Sequence, residues 1–133
     1  CVKPGGKLII AVPSEESYLY CSTNSILNMP PHHVSRWTDK ALFNIAGLID
    51  FKFVEIFHDS LDKLHVKSYF TALIERSLPF KGNSSNIFID DSLMYSGRIK
   101  IASMLANRMS KACSHAAWHG KGQNVTAVYQ KPY

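Results

Sequence analysis

Two periods of apolar residues succeed one another along these 133 residues, and each change of period marks an element. Leu8-Ile9-Ile10-Ala11-Val12, held between Gly5-Gly6 and Pro13, predicts a strand over Lys7–Val12 that is buried on both faces, as in a parallel sheet. From Pro13 to Val34 periodicity fades and Ser, Asn and Pro accumulate, apart from a short helical piece around Glu15–Tyr20. This is a long loop, and long loops in compact domains are usually functional or disordered. Thr38 then offers an N-cap, Asp39 sits at the positive end of the helix dipole, and Leu42, Ile45, Ala46 and Ile49 form one helical stripe. A helix of about three turns is expected there.

Phe51–Phe57 is aromatic and β-branched and predicts a second strand. Leu61, Leu64, Val66, Tyr69, Phe70, Leu73 and Ile74 recur at mainly helical spacing up to Leu78, and Pro79 closes that helix. A polar link, Lys81–Asn86, leads to an amphipathic helix over Ser92–Trp118. Its Met94, Ile101, Leu105, Met109, Ala112 and Ala116 face one way, and Lys100, Ser103, Asn107, Lys111 and Ser114 the other. Met94, Met104 and Met109 read as ordinary core rather than as an adaptable binding surface. Gly120 and Gly122 end the helix, and Val125–Tyr129 makes a last strand.

The order is that of an α/β fold whose first two strands form a right-handed parallel crossover. Three strands leave an apolar edge open. The opening Cys1-Val2-Lys3-Pro4-Gly5-Gly6 also reads as the second half of a connection, so a fragment of a larger fold is expected. Composition agrees with one globular unit: 46% hydrophobic and 19% charged, with no apolar run long enough to span a bilayer and no signal-peptide pattern. The expected compartment is cytoplasmic. Cys1, Cys21 and Cys113 are scattered, which indicates neither a disulfide framework nor a zinc knuckle. Charge is uneven. Residues 92–133 hold six basic residues and no acid (+6), against nine basic and ten acidic before them (−1), which together give the chain's +5. Such a segment suits nucleic acid, anionic lipid or an anionic substrate, but its plainest reading is a solvated helix face. It lacks interleaved aromatics, so nucleic acid is not the expected partner, and no membrane partner is expected.

Val2-Lys3-Pro4-Gly5-Gly6-Lys7-Leu8-Ile9-Ile10-Ala11-Val12-Pro13 closely resembles the segment leading into the fifth strand of class I S-adenosylmethionine-dependent methyltransferases. Asn28-Met29-Pro30-Pro31-His32-His33-Val34-Ser35-Arg36-Trp37-Thr38 is similar to a segment of their small-molecule members of the type 11/12/23 kind, and Asn124–Lys131 to their antiparallel seventh strand. The resemblance covers the first 60 residues and the C-terminus, leaving 60–120 without a counterpart. It implies a Rossmann-like sheet represented by strands five to seven, with the last antiparallel. Residues 1–58 would be the strand–loop–helix–strand part, 59–121 a helical insertion acting as a substrate-side lid, and 122–133 the final strand. It also implies that the glycine-rich turn and the acidic strand end that hold the cofactor lie before Cys1. S-adenosylmethionine is therefore the cofactor expected of the full-length enzyme, and none is expected for this chain alone.

Ligands of open α/β sheets bind beyond the carboxyl ends of parallel strands, where the loop Pro13–Trp37 begins. It offers Tyr18, Tyr20, Asn28 and Trp37 for contact with a small-molecule methyl acceptor, and His32 or His33 as the base. Imidazole, with an ordinary pKa of about 6.5, removes a proton at neutral pH. His33 is preferred because it lies closer to the following helix. The alternative is that Pro-Pro-His-His is a structural turn and Trp37 a packing anchor. His115 and His119, four apart near Cys113, fall short of a tetrahedral ligand set, so no metal is expected. The competing function is a non-catalytic interaction module, a homodimer formed through the open edge of Lys7–Val12; a weaker one is anion binding by the basic third.

Overall fold

A computed structural model describes residues 2–78, 89–112 and 121–133. The described elements are β1 (Lys7–Pro13), α1 (Asp39–Leu48), β2 (Lys52–Ser60), α2 (Val66–Ser77), α3 (Leu93–Ala112) and β3 (Lys121–Gln130), a mixed α/β arrangement. Short 3-10 turns occupy Tyr18–Cys21, Ile26–Asn28 and Lys63–His65. The link 81–86 and the stretch holding Cys113, His115, Trp118, His119 and Gly120 lie outside the described residues.

The strand order is β1-β3-β2, and β3 runs antiparallel to both neighbours. β1 and β2 thus point the same way, but they do not pair as a parallel crossover, because the last strand is inserted between them. β1 is an edge strand of alternating exposure rather than a doubly buried one, and Ile9 is 64% exposed. The reason lies in β3. Its Val125-Thr126-Ala127-Val128-Tyr129 run is buried throughout, so it claims the central position that a five-residue apolar run in β1 could equally have taken.

One sheet face carries the main core. Val125, Ala127 and Tyr129 meet Leu42 and Ala46 of α1, joined by Leu8, Ile10 and Val12 from β1 and by Phe53 and Ile56 from β2. Phe53 and Ile56 are three apart, and period two would send them to opposite faces. A break in register between Phe53 and Glu55 restores them to the same one. Leu42 is fully buried, a contribution of about 2–3 kcal/mol, and Tyr129 Oη donates to the Leu42 carbonyl at 2.7 Å. α1 is closed at both ends by local chemistry. The Thr38 hydroxyl accepts from Ala41 N at 3.1 Å, and after the helix Asp50 takes a left-handed φ of 55° while Phe51 N donates to Ala46 O.

α2 and α3 pack on each other as a second layer, and α2 packs on the Tyr18–Cys21 turn, where Tyr18, Leu61 and Ala72 are buried. α2 begins only at Val66, because the Asp62 carboxylate accepts from Leu64 N and starts a tighter turn first. α3 is rotated relative to the sequence expectation. Its buried residues are Arg98, Ala102 and Ala106, while Met94, Ile101, Met104, Leu105 and Met109 are 38–57% exposed, so the methionine stripe is not core. Arg98 pairs with Glu75 of α2 and lies 3.7 Å from Asp90, all three buried. Exposing those partners singly would strand a charge in the layer at several kcal/mol, and alanines four apart let the helices approach closely. Those two demands outweigh the amphipathic pattern.

Candidate functional site

The loop leaving β1 is closed at its neck. Trp37 N donates to Pro13 O at 3.0 Å, Glu15 N donates to Trp37 O at 3.0 Å, and Ser14 and Trp37 form an isolated parallel bridge. The Arg36–Glu15 ion pair at 2.9 Å flanks that neck. Trp37 itself packs against the α1 core. Its place is that of an anchor, and it lines none of the cavities described below. Inside the loop, Ser17 accepts from Leu19 N and donates to Ser14 O, fixing the first 3-10 turn. Residues 29–33 turn tightly, with His32 N and His33 N both donating to Met29 O across a cis Pro30-Pro31 bond.

These constraints leave a cavity of about 580 Å³ where β1 and β2 end and β3 begins. Tyr18, Asn28, His32 and His33 line it from the loop, and His65 and Gln123 from the far side. A second cavity of about 590 Å³ lies on the other side of Asn28 and His33, bounded by Met29, Val34, Arg36 and Ile89. His33 and Asn28 thus stand between two cavities, whereas His32 lines only the first. Tyr20 is not brought to either; its ring lies under the Arg76 guanidinium, 4.9 Å from it.

Gln123 organises the first cavity. Its Nε2 donates to Tyr18 Oη at 2.5 Å and lies 3.4 Å from His65 Nδ1. Burial pushes the Tyr18 phenol up, the Gln123 hydrogen bond opposing it in part, so Tyr18 stays a neutral hydrogen-bonding group at physiological pH. Asn28 is 9% exposed and spends its Nδ2 on Leu19 O at 3.5 Å, while its Oδ1 is buried without a partner. A buried orphan acceptor costs about 1–3 kcal/mol, which a ligand donor would recover. Three imidazoles, a phenol, three amides and apolar walls therefore converge, a set suited to a neutral molecule bearing a hydroxyl or amine and to accepting its proton.

His65, Ser68 and Gln123 also line this cavity, and sequence reasoning did not single them out. The signal was available, since β2 runs in the same direction as β1 and the rule that points to one strand's exit points equally to the other's. Gln123 needed the knowledge that the antiparallel β3 starts where β1 and β2 finish.

Among the described residues, a separate group of carboxylates and a histidine stands close to this end of the sheet. Glu16, Asp39 and His58 bring ligand atoms within 4.8 Å of one another, with His58 Nε2 3.0 Å from Asp39 Oδ2. Lys121 Nζ lies 3.3 Å from Glu16 Oε2 and 3.4 Å from His58 Nε2. The ammonium already supplies the positive charge that these carboxylates call for, so the cluster ties the loop, α1 and β2 to the start of β3. No helix among the described residues is long and apolar enough to cross a membrane. Comparison with protein-family models, with curated proteins and with solved structures finds no match.

Proposed function

We propose that this chain is the acceptor-binding portion of an S-adenosylmethionine-dependent methyltransferase acting on a small molecule. The observation that carries the reading is the placement of the Pro30-Pro31-His32-His33 loop. It is closed at its neck on β1 and lines, with His65 and Gln123, a cavity at the shared end of β1 and β2. A final strand antiparallel to its neighbours accords with the sequence resemblance.

Among the described residues, no glycine-rich turn leads from a strand into a helix as the cofactor would require. Gly122, of the closely spaced Gly120-Lys121-Gly122, lies in β3, where a Cβ would stand 2.9 Å from Asp59 O and Ser60 O; this is a close strand contact and not a strand-to-helix turn. The role derived for this chain is thus confined to the acceptor. Asn28 Oδ1 takes a hydrogen bond from it, Tyr18 and Gln123 orient its polar edge, and His33 accepts the proton that its hydroxyl or amine releases. Within the full-length protein, His33→Ala is expected to lower kcat by about 100-fold or more with cofactor affinity nearly unchanged. Unchanged turnover would remove His33 from the mechanism. Calorimetry of S-adenosylmethionine with the 133-residue chain is expected to give no binding heat.

A second reading is supported by the sheet edges. β1 pairs with β3 in unbroken register from Lys7 to Pro13, whereas β2 is interrupted twice, so β1 presents the flatter and more adhesive edge. On that reading two copies join edge to edge as a non-catalytic module. A strict monomer in sedimentation equilibrium at high concentration would end it.

A further inference from the structure

We infer that the cavity at the end of β1 and β2 recognises a carbonyl oxygen, with Tyr18 and His65 as its hydrogen-bond donors and Gln123 as the residue that sets their polarity. The acceptor is then a neutral hydroxy- or amino-carbonyl compound. This deepens the acceptor reading above and rests on it in taking the cavity as the ligand site.

A side-chain amide nitrogen only donates. Gln123 Nε2 meets Tyr18 Oη at 2.5 Å and His65 Nδ1 at 3.4 Å, so it spends one N–H on the phenol oxygen and the other on the imidazole. His65 Nδ1 must therefore offer a lone pair, and the neutral ring keeps its proton on Nε2. The phenol oxygen accepts from the same amide, which leaves its own hydrogen for a molecule in the cavity. Burial holds Tyr18 in this protonated, donating form at neutral pH. Both partners stand on fixed backbone: Gln123 O accepts from Ser14 N at 2.9 Å, and His65 N donates to Asp62 O at 2.9 Å. Asn28 offers the opposite polarity, since its buried Oδ1 has no partner and calls for a donor. A ligand that satisfies all three presents an oxygen to Tyr18 and His65 and a hydroxyl or amine to Asn28. Among the described residues no lysine or arginine lines this cavity, so a neutral carbonyl matches it better than a carboxylate. Its volume of about 580 Å³ holds both groups on one small skeleton.

The test is nuclear magnetic resonance of the nitrogen-labelled 133-residue chain. Long-range proton–nitrogen spectra at about pH 8, where an ordinary imidazole is neutral, are expected to show His65 with its proton on Nε2, and Gln123→Glu to bring a proton onto Nδ1. A wild-type His65 protonated on Nδ1 means that the amide turns its oxygen to both partners, and overturns the inference. Binding is then read from the side-chain amide signals of Asn28 and Gln123. The probe 4-hydroxycyclohexanone is expected to bind about tenfold more tightly than 4-methylenecyclohexanol, which puts a methylene of like shape where the carbonyl oxygen stood. Gln123→Glu, with its backbone spectrum otherwise retained, is expected to erase that margin. Equal binding of the two probes to the wild-type chain overturns the carbonyl assignment and leaves the acceptor site standing; binding of neither at millimolar concentration removes the site and the assignment together. Methyl transfer by the full-length protein enters neither measurement.

Discussion

Tyr129 joins three roles in one side chain. Its ring is fully buried between α1 and the sheet, it meets Phe53 edge-on at 6.0 Å, and its hydroxyl donates to Leu42 O. Tyr129→Phe keeps the ring and loses the hydrogen bond, so a loss of about 1 kcal/mol is expected in urea denaturation. Burial also pushes the Tyr129, Tyr18 and Tyr95 phenols up. In the unfolded chain these protons leave near pH 10, so their contribution to stability is full below about pH 10 and is lost as pH rises through the higher folded values. The urea midpoint is expected to fall in that alkaline window, and less steeply in Tyr129→Phe. Asp90 works in the other direction, held below the ordinary carboxylate range first by its hydrogen bonds from Ser92 and then by Arg98. That contribution is present above the usual carboxylate pKa and is lost as pH falls through the depressed one. Gly122 has no such latitude, because a Cβ there would meet two backbone carbonyls at 2.9 Å. Gly122→Ala is expected to lower the melting temperature by several degrees, separating the start of β3 from β2.

α1 shows how far an element is written in its own residues. The Thr38 cap, the acidic first turn and the burial of Leu42 and Ala46 stand where the spacing put them, whereas Ile49, the last residue of the expected stripe, caps the helix from outside it and is exposed. Thr38→Ala is expected to cost about 1 kcal/mol. Asp50→Gly relieves a left-handed φ of 55° and is expected to raise stability by about 0.5–1 kcal/mol, measurable as a higher melting temperature. α3 gives the opposite lesson. Its helical period was legible and its rotation was not, because two alanines and a buried ion pair with Glu75 and Asp90 outweigh a stripe of larger apolar residues. β2 likewise showed its composition, while the register break after Phe53, which sets Phe53 and Ile56 on one face, depends on its neighbour β3.

Across the fold, two features combine: a regular β1 edge that is unpaired among the described residues, and a cavity lined by three histidines at the end of β1 and β2. Each has its own variant, so they separate experimentally. Ile9→Lys places a charge on a residue already 64% exposed and is expected to leave the melting temperature nearly unchanged while weakening any edge-to-edge self-association, read by sedimentation equilibrium.

Where helices and strands form was in large part settled by neighbours a few residues apart. Periodicity, caps and breakers act within a turn or two, and the loop carrying Pro30-Pro31-His32-His33 stood out because it lacked them. Folding in three dimensions settled what touches what. Gln123 meets Tyr18 across 105 residues, Tyr129 meets Leu42 across 87, and β3 enters between two strands that precede it. Such contacts are chosen by the joint burial of distant side chains and by the need to pair every buried charge, and no local pattern encodes either.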